Sequence, residues 1–249
     1  MSGHSKWASI KHKKKATDAK RGALFTKLTR AITVAAREGG DPDGNPALAL
    51  AVQKAKDASM PKDNIERAIA KGTGADQDAA AFETIVYEGY GPGGVAVLVE
   101  ALTDNRNRTS SDVRHAFTKH GGNLGEPGSV AWIFEKKGEI VVDGTRYDED
   151  DLMPAIDAGA EDVAADGDVL EIVTDPSDLV AIRAALEQAG VELRSAELAM
   201  RPTNRVALDE SQAGTLLRLL DTLDDNDDVQ AVHANFDVDA EALERLAGA

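Results

Sequence analysis

Ten lysines and arginines fall within the first 40 residues: Lys6, Lys11, Lys13, Lys14, Lys15, Lys20, Arg21, Lys27, Arg30 and Arg37. Only Asp18 and Glu38 oppose them, so the segment carries +8. Cations at this density neutralise phosphates and release counterions, which is the chemistry of polyanion binding. Trp7 and His12 stand among them. A tryptophan there can stack on a base, worth about 1–3 kcal/mol, or dock the segment on neighbouring helices. The candidate nucleic-acid-binding residues are therefore Lys6, Trp7, Lys11, His12, Lys13, Lys14, Lys15, Lys20, Arg21, Lys27 and Arg30. A second basic island, Thr103-Asp-Asn-Arg-Asn-Arg-Thr109, is followed by Arg114, His115, Lys119 and His120. Its hydroxyls, amides and guanidinium planes suit phosphate and RNA-loop contacts, which makes Arg106, Arg108 and Arg114 secondary candidates. The same residues also suit a helix N-cap whose arginines pair with local acids.

Other patterns fail on context. Gly89-Tyr-Gly-Pro-Gly-Gly94 satisfies GxGxxG, but the apolar run Val95-Ala-Val-Leu-Val follows it. A dinucleotide site needs a helix there, so the string reads as a tight turn between strands. Asp41-Pro-Asp-Gly-Asn45 and Asp224-Asp-Asn-Asp-Asp228 mimic the start of a calcium loop without its sixth-position glycine or twelfth-position glutamate. They read as a turn and an acidic helix end. His115 and His120 lie five apart with no HExxH carboxylate, and neither a GxSxG elbow nor a GxxxxGK[ST] loop occurs. With no cysteine in the chain, thiolate catalysis and Cys-ligated zinc are excluded. No catalytic residue, metal site or cofactor is expected.

These residues need elements to hold them. Residues 1–16 show no periodicity and read as a mobile basic arm. Thr17 or Asp18 caps a helix ending at Gly39-Gly40, with Leu24, Phe25, Leu28, Ala31, Ile32, Ala35 and Ala36 on one arc. Lys20, Lys27, Arg30 and Arg37 fall opposite and form a basic stripe in line with the arm. Asn45 caps a second helix with Pro46 at its first position. Pro61 opens a third, which Gly72 stops. After a polar linker, Gly72 to Ala80, strands alternate with helices. Thr84 to Tyr87 and Val95 to Leu102 are strands, and Ser110 or Ser111 caps a helix running to His120. Val130 to Phe134 and Glu139 to Val142 form a hairpin over Lys136-Lys137-Gly138. A short helix, Leu152 to Ala158, precedes a strand at Val169 to Val173. Leu179 to Leu186 is a helix, followed by strands at Val191 to Leu198 and Arg205 to Leu208. Leu216 to Leu223 marks a helix before a last strand, Val229 to Phe236. Strands and helices mixed in this way make an α+β fold.

The full chain has 249 residues and a formal charge of −16, which suggests about two or three domains. Residues 41–72 balance at five of each sign, and residues 73–249 carry −24. The charge is thus segregated, with a basic arm on an acidic body. No apolar run reaches the ~18 residues of a membrane helix, and the N-terminus lacks the apolar stretch of a secretory signal. Nothing in the sequence sets the oligomeric state.

Longer strings carry a resemblance. Ser2-Gly-His-Ser-Lys-Trp7, Ile10-Lys-His12, Ala35-Ala-Arg-Glu-Gly-Gly40 and Met60-Pro-Lys-Asp-Asn-Ile-Glu-Arg-Ala-Ile69 are similar to the YebC/PmpR family. So are Tyr87 to Gly94, Thr103 to Thr109 and Gly121-Gly-Asn-Leu-Gly-Glu-Pro-Gly-Ser129. Ser9 and Ser59 stand where the family pattern has asparagine. The resemblance implies a basic arm and helical domain over residues 1–75 and a middle α/β domain over 76–128 plus 203–239. A ferredoxin-like α/β domain, 129–202, would be inserted in the middle one. It also implies a cytoplasmic DNA-binding transcriptional regulator. The family's other described roles point to a ribosome-associated translation factor that binds rRNA and relieves stalling at proline runs. The partner is then DNA or ribosomal RNA, with no membrane.

Overall fold

A computed structural model of the chain describes residues 18–74, 82–239, 242–243 and 245–246. Three helices come first: α1 (Asp18–Ala35), α2 (Pro46–Asp57) and α3 (Lys62–Thr73). They pack on a shared core of Leu28, Ile32, Leu48, Val52, Ala55, Met60, Ile65 and Ala68. α2 and α3, at 12 residues each, are too short to be stable alone, so the shared core holds them. A single 3-10 turn, Ala36–Glu38, ends the run of α1. Asn45 then does two jobs. Its Oδ1 accepts from the Leu48 amide at 3.1 Å and caps α2, while its Nδ2 donates to the Ala35 and Gly39 carbonyls, both at 2.8 Å. Gly72 does not stop α3, which runs on to Thr73. A side chain at Gly72 would run into the Thr33 carbonyl and Ala36, so the glycine lets α3 approach α1.

β1 (Glu83–Tyr90) and β2 (Ala96–Thr103) form an antiparallel pair around a tight turn at Gly91 to Val95. Gly93 and Gly94 sit at φ 74° and 79° there, which fits a turn rather than a phosphate loop. α4 (Arg106–Lys119), β3 (Asn123–Leu124), α7 (Glu210–Asp224) and β9 (Val229–Ala234) complete this layer, with strand order β3-β1-β2-β9. Phe117 of α4 and Leu216 of α7 lie close against Gly89 and Gly91, so both helices cover one face of the sheet. β2 is apolar and largely buried along its length, as a central strand must be. Glu88 of β1 accepts backbone N–H bonds from Gly128, Val130 and Ala131 at 2.6–2.7 Å, which pins the following loop.

The second sheet contains β4 (Phe134–Asp143), β5 (Asp162–Asp166), β6 (Val169–Thr174) and β7 (Leu193–Pro202) in the order β5-β6-β4-β7. With α5 (Met153–Asp157) after β4 and α6 (Leu179–Gln188) after β6, the order is βαββαβ, the ferredoxin-like arrangement. Ile140, Val142, Leu152, Ile172, Leu179, Ile182 and Leu186 are buried in its core. Two short strands, β8 (Val206–Ala207) and β10 (Phe236–Asp237), pair in parallel.

The expected hairpin over Lys136-Lys137-Gly138 is absent; β4 is one continuous strand through all three residues. Gly138 is a close-approach glycine, where an added Cβ would come within 3.0 Å of Leu179 Cβ. The described residues divide into two compact units. Trp132–Glu210 with the chain from Asn235 form one, and the residues up to Ala131 with Ser211–Ala234 form the other. The helical bundle and the first sheet therefore belong to a single unit. No helix among the described residues is long and apolar enough to cross a membrane.

Candidate nucleic-acid interface

The arm candidates Lys6, Trp7, Lys11, His12, Lys13, Lys14 and Lys15 lie outside the described residues. Lys20 and Arg21 follow in the first turns of α1, where Arg21 is exposed. Further along the same helix the stripe changes character. Lys27 is only 8% exposed, and its Nζ donates to the Asp224 carbonyl and lies 3.9 Å from the Asp224 carboxylate. Arg30 Nη1 donates to the Asp227 carbonyl and to Asp228 Oδ1, both at 2.7 Å. The second half of the basic stripe thus meets the acidic end of α7 and the turn before β9.

Asp228 is the centre of that meeting and is 4% exposed. Its Oδ1 takes Arg30, while its Oδ2 accepts from Arg108 at 2.9 Å, Thr109 Oγ1 at 2.7 Å and Thr103 Oγ1 at 3.2 Å. Burial alone would push its carboxyl up. The hydrogen bonds from Arg108, Thr109 and Arg30, with the Arg108 charge, outweigh that and hold it below the usual carboxylate range. One side chain therefore ties α1, the end of β2 and the first turn of α4 together.

The second basic island is the cap and first turn of α4. Asn105, not Ser110 or Ser111, is the N-cap, and its Oδ1 accepts from the Arg108 amide at 3.1 Å. Thr103 Oγ1 in turn accepts from the Asn105 amide at 2.9 Å. Arg108 bridges Asp104 and Asp228, both at 2.9 Å. Arg106 and Arg114 are exposed and have no ion pair among the described residues. The island thus divides into one arginine that builds the fold and two that face solvent. Asp224 and Asp228 carry the geometry that the sequence did not point to. Their run signals a helix end, but nothing in its spacing names partners about 197 residues away. Among the described residues, no group of three or more His, Asp or Glu side chains is placed to hold a metal ion.

Two family models match the chain. One, described as the TACO1/YebC protein N-terminal domain, spans residues 5–75; the other, described as the TACO1/YebC second and third domain, spans residues 82–236. A protein of Rubrobacter xylanophilus, named a probable transcriptional regulatory protein, is 61% identical over 250 residues and covers 100% of both chains. One of Halothermothrix orenii with the same name is 54% identical over 251 residues, with 99% of each chain covered. The crystal structure of a conserved hypothetical protein from Aquifex aeolicus superposes with a TM-score of 0.83 at 49% identity, covering 92% of this chain and 96% of that one.

Proposed function

The chain belongs to the TACO1/YebC family, and we propose that it is a cytoplasmic nucleic-acid-binding regulator of gene expression that acts on DNA as a transcriptional regulator. The observation that carries this reading is the segregation of charge. Residues 1–40 hold +8 and residues 73–249 hold −24. Within α1, Lys27 and Arg30 are already met by acids, which leaves the binding cations in the arm and the first turns of the helix. These are Lys6, Lys11, Lys13, Lys14, Lys15, Lys20 and Arg21, with Trp7 and His12 beside them and Arg106 and Arg114 as a secondary pair. Binding by such a set is electrostatic, positions the protein on phosphates, and depends steeply on salt. The relatives' name, probable transcriptional regulatory protein, supports DNA as the target. The role proposed is one of binding.

A second reading, a ribosome-associated factor on rRNA, draws on one specific observation. The cations of α1 that are tied up, Lys27 and Arg30, leave that helix without a continuous face to lay in a major groove. Shape and phosphate then suffice, as they do for structured RNA. Co-sedimentation of the untagged chain at about 0.15 M salt, with ribosomes in one arm and upstream DNA fragments in the other, separates the two. DNA bound with a preference over random duplex supports the first reading. Ribosome association without such a preference overturns it in favour of the second.

A further inference from the structure

An open cleft of about 310 Å³ lies between α1 and α3, walled by Phe25, Thr26, Arg30, Asn64, Lys71 and Phe82 among others. Its volume is at the lower end of small-ligand sites, about 300–1,000 Å³. The chain has five phenylalanines. Phe117, Phe134 and Phe236 are buried in cores, while Phe25, packed on the edge of the helical core, and Phe82 are half-buried and both line this cleft. Arg30, anchored on Asp227 and Asp228, lies over the Phe82 ring at 5.6 Å from its centroid and fixes that wall. The rim is polar. Thr26 Oγ1 donates to the Gly22 carbonyl at 3.1 Å and keeps lone pairs to accept. Asn64 Oδ1 accepts from Arg67, which leaves its amide hydrogens to donate. Lys71 is exposed and has no ion pair among the described residues.

Two aromatic walls, hydrogen-bonding groups of both senses and one unneutralised ammonium match a single chemical unit: a planar base with a phosphate attached. A purely apolar ligand would leave the rim unused, and a simple anion would leave the rings unused. The cleft also sits on α1, which lies within the +8 segment. We propose that this cleft takes one unpaired nucleotide of a single-stranded nucleic acid, its base on Phe25 and Phe82 and its phosphate on Lys71. The inference rests on the nucleic-acid reading above and adds to it a subsite for unpaired strand.

The test compares a fluorescein-labelled oligouridylate with a duplex of equal length, bound to the full chain and followed by anisotropy across a salt series. Phe82→Leu should weaken the single strand about 5- to 150-fold, the equivalent of ~1–3 kcal/mol per stacked base. Its salt slope and the duplex affinity should stay unchanged. Lys71→Gln, a change at an exposed position, should flatten the single-strand slope by ~0.7; it covers the case in which Phe82→Leu lowers the melting temperature. Uridine monophosphate should compete only weakly. Tight, Phe82-dependent binding of the free nucleotide with no effect of Phe82→Leu on the strand overturns the proposal. So do equal losses on strand and duplex, or no loss from either variant. A parent chain that binds neither probe defeats the nucleic-acid reading itself. A parent that binds with both variants neutral defeats the cleft alone.

Discussion

Asp228 in one unit and Glu139 in the other are both carboxylates largely taken out of water, with opposite surroundings. Asp228 is met by two guanidinium groups and two threonine hydroxyls and stays ionised. Glu139 of β4 stands in register with Glu197 of β7, and Glu171 of β6 is close by. Burial pushes the Glu139 carboxyl up to about 7; Glu171 and Glu197 push the same way, and only Arg201 opposes them. Arg201 itself lies 3.8 Å from Glu171, so its charge is shared. The first unit spends its counter-charges on joining elements, while the second crowds like charges on one sheet. The two carboxylates therefore make stability depend on pH in opposite directions. Asp228 has a depressed pKa; its contribution is present above the unfolded value of about 3.9 and is lost as pH falls through the folded one. Glu139 has a raised pKa; its folded form holds a proton that the unfolded form has released. Stability therefore falls as pH rises from about 4.5 through about 7 and is flat beyond.

The comparison breaks most directly at Asp228. Asp228→Ala leaves Arg30 half-buried without its carboxylate and strands the Thr103 and Thr109 hydroxyls. Removing one partner of a buried pair costs roughly 3–5 kcal/mol. Because Arg108 is half-exposed and can be rehydrated, about 3 kcal/mol is expected, or ~6–12 °C in melting temperature for a chain of this size. A loss under about 1 kcal/mol would mean that the cluster is held together from elsewhere.

The arm sharpens the comparison, because its cations lie outside the described residues and are proposed to meet phosphate. If five or six of the basic residues in 1–40 meet phosphate, the slope of log K against log salt on duplex is near −5. Changing Lys13, Lys14 and Lys15 together to Gln should flatten it by roughly 2–3 units and weaken binding about a hundredfold at ~0.15 M salt. The melting temperature should hold, since an arm contributes little to a core. Lys27→Gln should do the reverse, because Lys27 is buried against Asp224. It should lower the melting temperature and move the slope by less than about 0.5. If Lys27→Gln flattens the slope as the arm variant does, the neutralised half of the stripe binds nucleic acid after all.

What the sequence made legible follows the range of the interactions. Asn45 and Pro46 mark the start of α2 by their types alone, and their cap closes within three residues. The α+β class follows from hydrophobic period, and the turn at Gly91 to Val95 from the strand that follows its glycines. Two misreadings share one cause, a local signal overruled by distant packing, and a third has a local one. Gly138 has the composition of a turn, but its missing side chain makes room for α6. Ser110 and Ser111 look like caps; Asn105 takes that role because Thr103, beside Asp228, fixes the backbone one turn earlier. β5 went unread because Asp162-Val-Ala-Ala-Asp166 holds a single β-former, Val163; it is recruited as an edge by pairing with its hairpin neighbour β6. The site was legible as charge and illegible as geometry. Periodicity placed Lys27 and Arg30 on one face of α1 but could not reveal that the acidic turn before β9 packs there.

Glu139→Gln tests the second half of the comparison. The variant keeps the shape and removes the ionisation. It should match the parent near pH 4.5 and exceed it at pH 8 by about 1–2 kcal/mol, less than a rigid site would give, because the surroundings relax around the charge. Its stability between those limits should lose the downward slope. A parent whose stability is flat from pH 4.5 to 8 would show that Glu139 is ionised at no cost, and the like-charge picture of that sheet would fail.

Ser59→Asn has the smallest effect and isolates backbone from charge in the unit that holds Asp228. Among the described residues, Ser59 is the one non-glycine at positive φ, 59°. It follows the end of α2, where the Met60 amide bonds the Ala55 carbonyl at 2.9 Å and the Ser59 amide bonds the Lys56 carbonyl at 2.8 Å. That pair of bonds is a Schellman ending, which requires the left-handed conformation at this residue. A left-handed L-residue costs roughly 1–2 kcal/mol, and asparagine is less penalised there than serine. Ser59→Asn should therefore stabilise by about 0.5 kcal/mol, or ~1–2 °C. Ser59→Gly should come out close to it, because relief of strain is offset by ~0.4–1 kcal/mol of added freedom in the unfolded chain. Neither gain should depend on pH or salt, since no charge changes. A gain for Ser59→Asn that vanished in high salt would tie the α2 ending to the electrostatics of the unit, and the separation of backbone from charge would fall.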